Sequence, residues 1–388
     1  MRRSNNRKEP RSLNRQKAPS FTTLANPHIP DLMTYEPGRP ISEVARDLGL
    51  ESDDGIDKLA SNENALGPSP RAVSAMQDAA ASMHLYPDGG SFYLKRDLSA
   101  RLGVDTSRLL ITNGSNEAIE LLGHVFLGPG TEIVMSQQAF VIYRLVADLF
   151  QAETRAVPAK DFTHDLPAML EAITSRTRLV FIANPNNPTG TQVSAEALDR
   201  FLNAVPDHVI TILDEAYIEL LEEADQPPSV SYVLENRKIV ILRTFSKTYG
   251  LAGLRIGYVV APPEAIELLN RARQPFNVTA MAQLAAAAAL QDVAFVEKTR
   301  KLVTEGLSQI VSGLEADGIE SVPSVVNFLL VKVGKGRACS DALQRKHVIV
   351  RPMDGYGLPE YIRVTVGTRE QNERFLCSLR EVLAEVDG

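Results

Sequence analysis

Short, almost wholly apolar runs alternate along the chain with stretches whose apolar residues recur at helical spacing. The runs are residues 108–112, 132–135, 177–183, 209–213, 238–242 and 256–261. They are too short for typical helices and too uniformly apolar for a sheet with one wet face. Helical spacing falls on 117–126, 140–150, 194–204, 264–272 and 280–303, with Ser194 placed to cap its helix. This alternation predicts an α/β fold, a mainly parallel sheet with helices on both faces, over residues 58–289. The pattern then changes. Strands at 327–333, 348–350 and 361–366, separated by helical segments at 339–346 and 369–385, predict a smaller α+β domain over 290–388. Residues 21–57 are expected to pack with that smaller domain.

Composition narrows the class. A chain of 388 residues buries a large core without covalent staples. The two cysteines, Cys339 and Cys377, make neither a disulfide framework nor a metal cluster, so no metal site is expected, and they fit a cytoplasmic location. A net charge of −7 gives the whole molecule no pull toward nucleic acid. The exception is residues 1–20, where Arg2, Arg3, Arg7, Lys8, Arg11, Arg15 and Lys17 stand against Glu9 alone. Such a tail can touch nucleic acid or membrane or address the protein elsewhere. Pro19, Pro27 and Pro30 interrupt the residues that follow, so no apolar signal region forms and a disordered, solvated tail is expected. The most apolar stretch, 280–290, is mostly alanine and too short to span a bilayer, so no membrane partner is expected.

Ligands of open α/β sheets sit beyond the carboxyl ends of the strands, and four unusual loops lie there. After 238–242 comes Arg243-Thr-Phe-Ser-Lys-Thr-Tyr-Gly250, followed by Gly253, Arg255 and Gly257. Lys247 reads as a surface loop lysine, or as a nucleophilic amine beside the phosphate-holding groups Ser246 and Arg255. Three glycines that permit close backbone approach favour the second reading. An amine with a phosphate site beside it is the requirement of pyridoxal phosphate, held as a Schiff base. Asp214 ends its strand as a helix cap, a metal ligand, or the carboxylate that keeps a pyridine nitrogen protonated. Tyr217 is placed to donate to the same cofactor's phenolate oxygen. The loop 184–190 reads as a turn, or as the source of Asn187 for that oxygen. Gly114, Ser115 and Asn116 open a helix, where free N–H groups and the dipole attract an anion.

On these residues the chain resembles the fold-type I pyridoxal-phosphate aminotransferases, and within them the histidinol-phosphate aminotransferase family. The resemblance runs from Tyr35 to the C-terminus. It is carried by Tyr35-Glu-Pro-Gly-Arg-Pro40, Asn62-Glu-Asn64, Tyr86-Pro-Asp88, the four loops, and Tyr361-Ile-Arg-Val-Thr-Val-Gly-Thr368. It implies a ping-pong transaminase acting on histidinol phosphate with 2-oxoglutarate or glutamate as the amino partner. Lys247 is then the catalytic residue. The cofactor is bound by Ser115, Asn116, Phe140, Asn187, Asp214, Tyr217, Ser246 and Arg255, with Phe140 stacked on its ring. The resemblance further implies a homodimer with shared active sites, in which Tyr86 reaches the partner's cofactor phosphate and Tyr35 is donated by the neighbouring subunit. Substrate binding falls to Tyr35, Asn187, Arg351 and Arg363.

Two stretches depart from the family's pattern. Ser136-Gln-Gln-Ala-Phe140 lacks the proline–threonine often found before the stacking aromatic, and Arg351 is followed by Pro352-Met353 in place of aspartate. Both lie toward the substrate. They keep open an aromatic amino-acid aminotransferase and a threonine-phosphate decarboxylase on the same scaffold. A regulator that only senses the cofactor needs a DNA-binding domain, and the basic tail has no helix-turn-helix pattern.

Overall fold

A computed structural model describes residues 20–35, 38–49, 52 and 55–386. The expected basic tail, apart from Ser20, lies outside the described residues. Among the described residues, twelve strands are numbered in chain order. A short strand β1 (Asp57–Lys58) precedes the strands of the main sheet. Those are β2 (Leu109–Thr112), β3 (Glu132–Ser136), β4 (Glu153–Val157), β5 (Thr177–Ala183), β6 (Ile210–Asp214), β7 (Ile239–Thr244) and β8 (Gly257–Val260). They form one seven-stranded sheet in the order β2-β8-β7-β6-β5-β3-β4. All run parallel except β8, which is antiparallel to both neighbours.

The sheet is covered on both faces because its strands are apolar on both. Along β5, Leu179 and Phe181 enter one core while Val180 and Ile182 enter the other. Strand periodicity divides the apolar runs this way, and all four side chains are fully buried. The strand β4 escapes the apolar pattern. It lies at the sheet edge, where Arg155 pairs with the buried Glu132 at 2.9 Å. A polar edge strand resists pairing with another chain.

The smaller body comprises β9 (Phe328–Lys332), β10 (Val348–Ile349), β11 (Arg351–Pro352) and β12 (Tyr361–Thr365), with helices Gly336–Arg345 and Arg369–Val386. Strands β11, β12 and β9 form an antiparallel sheet in that order, and β10 pairs in parallel with β1. Val44 and Ala45 of the helix Ile41–Asp47 pack with Ile349. Leu329, Val331, Ile362, Val364 and Phe375 centre a separate core. Among the described residues no helix is long and apolar enough to cross a membrane.

The single helix expected over 280–303 is two. Ala280–Leu290 ends, and Val293–Ala316 begins with Asp292 as its N-cap, accepting from Phe295 N at 3.4 Å and from Ser69 Oγ at 2.6 Å. Helical spacing continues across the junction, so periodicity alone does not mark it. Val296 of the second helix packs in the large core, while Ile310 and Leu314 pack in the small one. This helix therefore joins the two bodies.

Gly306 lies buried on that helix. A Cβ there would stand 2.3 Å from Val366 Cγ1 and 3.0 Å from Asn372 Nδ2. In an exposed helix, Gly→Ala stabilises by about 1 kcal/mol. Here the stiff valine blocks the added methyl and reverses the sign. Gly306→Ala is expected to destabilise the fold by about 1–3 kcal/mol, seen as a lower thermal midpoint of the apoprotein. An unchanged or raised midpoint would refute this packing.

Candidate active site

The carboxyl ends of β2, β5, β6 and β7 converge on a cavity of roughly 300 Å³. Lys247, Asp214, Tyr217, Asn187, Phe140, Ser115, Asn116, Ser246, Arg255, Arg351, Arg363 and Tyr35 all line it. Residues more than 300 positions apart meet there because the small body closes one side.

Asp214 is the last residue of β6 and is 5% exposed. Its Oδ2 accepts the Tyr143 hydroxyl at 2.6 Å and its Oδ1 accepts Ala216 N at 3.2 Å. Burial pushes this carboxyl up to about 6, against the pull of those two donors. Lys247 follows β7 and donates from Nζ to the Ser61 carbonyl at 3.2 Å. Burial, with the Arg363 and Arg255 charges, lowers its ammonium to about 8. Tyr217 lies beneath Lys247, whose Nζ is 5.6 Å from the ring centroid. Its hydroxyl oxygen accepts Asn62 Nδ2 at 2.9 Å, which leaves its own proton free to donate.

Ser115, Asn116, Ser246 and Arg255 line another part of the cavity. Helix Gly114–Phe126 begins there, and the Asn113 side chain does not cap it. Gly114 has φ 72°, and a Cβ on it would stand 2.5 Å from the Arg255 guanidinium. Gly257 is as confined: its Cβ would stand 3.0 Å from Ser115 N and 2.7 Å from the Arg243 carbonyl. The two glycines let Arg255 lie against the helix N-terminus. Arg255 itself adopts φ 53°, a left-handed conformation uncommon in a long side chain and frequent at functional sites. Ser246 Oγ, 7% exposed with its residue, accepts from Thr244 Oγ1 at 2.9 Å. The Arg255 guanidinium and the N–H groups that open the helix thus lie together at one side of the cavity, an approach that a Cβ on either glycine would block. A phosphate fits there, an amine at Lys247 stands beside it, and a carboxylate at Asp214 lies across the cavity. The residues present fit pyridoxal phosphate.

Arg363 enters from β12 and is 7% exposed. It donates to Asn187 Oδ1 at 2.5 Å and to the Ala60 carbonyl at 2.8 Å, and its guanidinium lies 5.2 Å from the Phe328 ring centroid. Among the described residues no carboxylate pairs with it. Arg351 stands opposite it across the β11–β12 pair, so two guanidinium-bearing residues are neighbours in register. The Asn187 bond orients that amide, leaving its NH₂ to donate into the cavity.

One placement differs from expectation, that of Tyr35, while Tyr86 stands away from its own chain's cavity as a residue that serves the partner would. Tyr35, expected from a neighbouring subunit, lines the cavity of its own chain; the nearby Gly38 backbone is seated against Ser61 and Arg351. Tyr86 is stacked on Phe276 at 4.9 Å. Three residues were given no role in the site by sequence reasoning, although Asn62 belongs to a motif that carries the resemblance. Asn62 holds Tyr217 and is itself held by Thr365 Oγ1 through its backbone N and Oδ1, at 3.0 and 3.2 Å. Tyr356 lines the cavity beside Arg363. Tyr143 holds Asp214. Its signal was its place three residues after Phe140, in a stretch of helical apolar spacing.

Comparison with known proteins agrees with this geometry. The family model for aminotransferase class I and II matches residues 55–379. Histidinol-phosphate aminotransferase 1 of Thiobacillus denitrificans is 49% identical over 364 residues, 94% of each chain. Histidinol-phosphate aminotransferase of Moorella thermoacetica is 49% identical over 358 residues, 92% of each. Among solved structures, histidinol-phosphate aminotransferase from Sinorhizobium meliloti, in complex with pyridoxal-5'-phosphate, superposes with a TM-score of 0.85. That pair is 26% identical, over 97% of this chain and 99% of the other. A single helix-opening glycine or loop lysine is common to many folds; all four loops, on one sheet, with this likeness across the chain, are not. The chain belongs to the class I and II aminotransferases and, among them, to the histidinol-phosphate aminotransferase family.

Proposed function

We propose that this chain moves an amino group between histidinol phosphate and 2-oxoglutarate, in two half-reactions at one site, with pyridoxal phosphate held at Lys247. The observation that carries this reading is the buried guanidinium of Arg363, without a carboxylate partner, in the same cavity as Lys247 and Asp214. A buried cation of this kind is complete only when a ligand brings an anion. Histidinol phosphate brings a phosphate and glutamate a carboxylate, and a planar guanidinium accepts either in bidentate fashion. Arg351, its cross-strand neighbour, assists with the doubly charged phosphate. The names of the relatives support histidinol phosphate as the substrate.

When bound, pyridoxal phosphate supplies a ring that takes up the electron pair of the substrate's breaking α C–H bond. The protein's part follows from the side chains. Arg255, Ser246 Oγ and the N–H groups of Ser115 and Asn116 grip the phosphate. Asp214 keeps a proton at the ring nitrogen, and Phe140 covers one ring face. Tyr217 Oη and Asn187 Nδ2 donate to the phenolic oxygen. Lys247 Nζ takes the α-proton as a general base and returns it as an acid. Its lowered pKa leaves a useful share of free amine near neutral pH. The large body serves as the cofactor platform, and the small one carries Arg351 and Arg363.

The proposal includes a homodimer. Leu85, Tyr86, Phe92, Tyr93 and Phe276 are exposed large side chains on one chain, and Tyr86 is 85% exposed. Aromatic residues exposed in such number mark an interface. On this reading Tyr86 reaches the phosphate of the partner's cofactor.

Three outcomes test these statements. Spectroscopically followed half-reactions should proceed with histidinol phosphate and with glutamate. They should vanish in Lys247→Ala, and both should weaken about 30-fold or more in KM in Arg363→Gln. Faster conversion with phenylalanine, or loss of carboxylate from threonine phosphate, would sink the substrate assignment. The rate at which apoprotein captures pyridoxal phosphate should rise as the pH rises through about 8, because only neutral Lys247 amine attacks. A midpoint near 10.5, the ordinary lysine value, would contradict the desolvated site. In sedimentation, the protein should run at twice its chain mass, and Tyr86→Ala should weaken cofactor retention; a monomer with full activity would overturn the shared site.

A further inference from the structure

Tyr143 has no role among the groups that grip the cofactor, yet it is built into the site. It sits on the helix Ile142–Leu149 and is fully buried. Its ring stacks on Phe181 at 4.4 Å with planes 13° apart, and meets the edge of Phe140 at 5.8 Å. These two aromatic contacts fix where the phenol points. The hydroxyl points at Asp214 Oδ2, at 2.6 Å. Because Tyr143 is desolvated and beside a carboxylate, its pKa lies well above the ordinary value, so the phenol keeps its proton and acts only as a donor. Asp214 Oδ1 is engaged by Ala216 N. The groups acting electrostatically on Asp214 are Tyr143, Glu215 and Lys247, and Tyr143 also feels Tyr217 and Tyr356.

We propose that Tyr143 is a positioning residue that sets how the proton between Asp214 and the cofactor's ring nitrogen is shared. This rests on the reading of the cavity as a pyridoxal-phosphate site. A phenol donating to Oδ2 stabilises the carboxylate form of Asp214. The proton then stays on the ring nitrogen, where its positive charge draws electrons from the reacting carbon. Without that donor the desolvated carboxylate becomes more basic, and the proton moves toward Asp214. Only one proton changes place. No bond to carbon is made or broken, and nothing is oxidised. The same residue braces Phe140, so ring face and ring nitrogen are aligned by one side chain.

The test uses the holoenzyme and two near-isosteric variants. Tyr143→Phe keeps the stacked ring and removes the hydroxyl. A fluorotyrosine placed at position 143 keeps the hydroxyl and makes it a stronger donor. The first readout is the nitrogen chemical shift of ¹⁵N-labelled pyridoxal phosphate in each holoenzyme. The second is the pH midpoint of the lysine-linked absorption band. A less positive ring favours the protonated form of that linkage. Tyr143→Phe should therefore move the nitrogen signal toward the unprotonated value and raise the midpoint by about half a unit to one unit. The fluorinated variant should shift both the other way. In turnover, kcat of Tyr143→Phe should fall about tenfold with KM unchanged, since the ground-state contacts to substrate remain. Wild-type spectra and midpoints in both variants would overturn the proposal while leaving the cofactor assignment intact. A wild-type protein that forms no lysine-linked band would instead overturn the assignment itself, and the proposal with it.

Discussion

The site depends on keeping two cations, Lys247 and Arg363, desolvated in one cavity with no carboxylate bonded to either among the described residues. Such an arrangement disfavours the empty protein, because each charge has lost water without gaining an ion partner. Polar neighbours moderate the cost: the Ser61 and Ala60 carbonyls, the Asn187 amide and the Phe328 ring face. None of them neutralises the charge. Burial lowers both pKa values, with the larger functional effect on lysine, whose amine becomes available near neutral pH. On the proposed reading, the anions that complete the balance come from cofactor and substrate. Affinity for phosphate and carboxylate is therefore a property of the folded interior and not of the overall charge of −7.

The rest of the architecture can be understood as what holds those charges in place. A sheet covered on both faces is rigid, and its strand ends present Asp214 and the Lys247 loop at fixed depth. On the proposed reading, the second body supplies the residues that meet a substrate anion. β12 brings Arg363, and its register beside β11 brings Arg351. The helix Val293–Ala316, packed into both cores, ties the two bodies together. Glycine matters at a few points only. Gly114 and Gly257 lie where a methyl group would occupy the space of the Arg255 guanidinium or of the helix N-terminus.

Residues visible in the sequence were those whose type was odd for their place. Lys247 and Asp214 follow apolar strands, and Arg363 interrupts one. Asn62 stood in a motif that carries the resemblance but was given no role, and Tyr143 was not named, because the partners that define their tasks lie far along the chain. A tyrosine on a helical face usually packs in a core, and an asparagine in a loop usually makes a turn. Tyr143 does pack in a core, and its second task appears only when β6 is laid alongside. Tyr35 was misplaced because a sequence motif carries no information about which copy of the chain its residue serves. The break at Asp292 was missed because helical spacing runs on across it, although Asp292 caps the second helix locally through Phe295 N.

By itself the sequence determined the alternation of strands and helices, the α/β class, and the loops that bear an amine, a carboxylate and a phosphate site. These are local properties, set by hydrophobic period and by the chemistry of adjacent residues. The tertiary structure decided the rest. It set the depth at which Lys247 and Asp214 lie, and hence their proton affinities. It brought Asn62 to Tyr217 and Arg363 to Asn187. It also chose Tyr143 as the donor to Asp214. Desolvation and hydrogen-bond partnership depend on what packs from distant parts of the chain, and no window of sequence contains them.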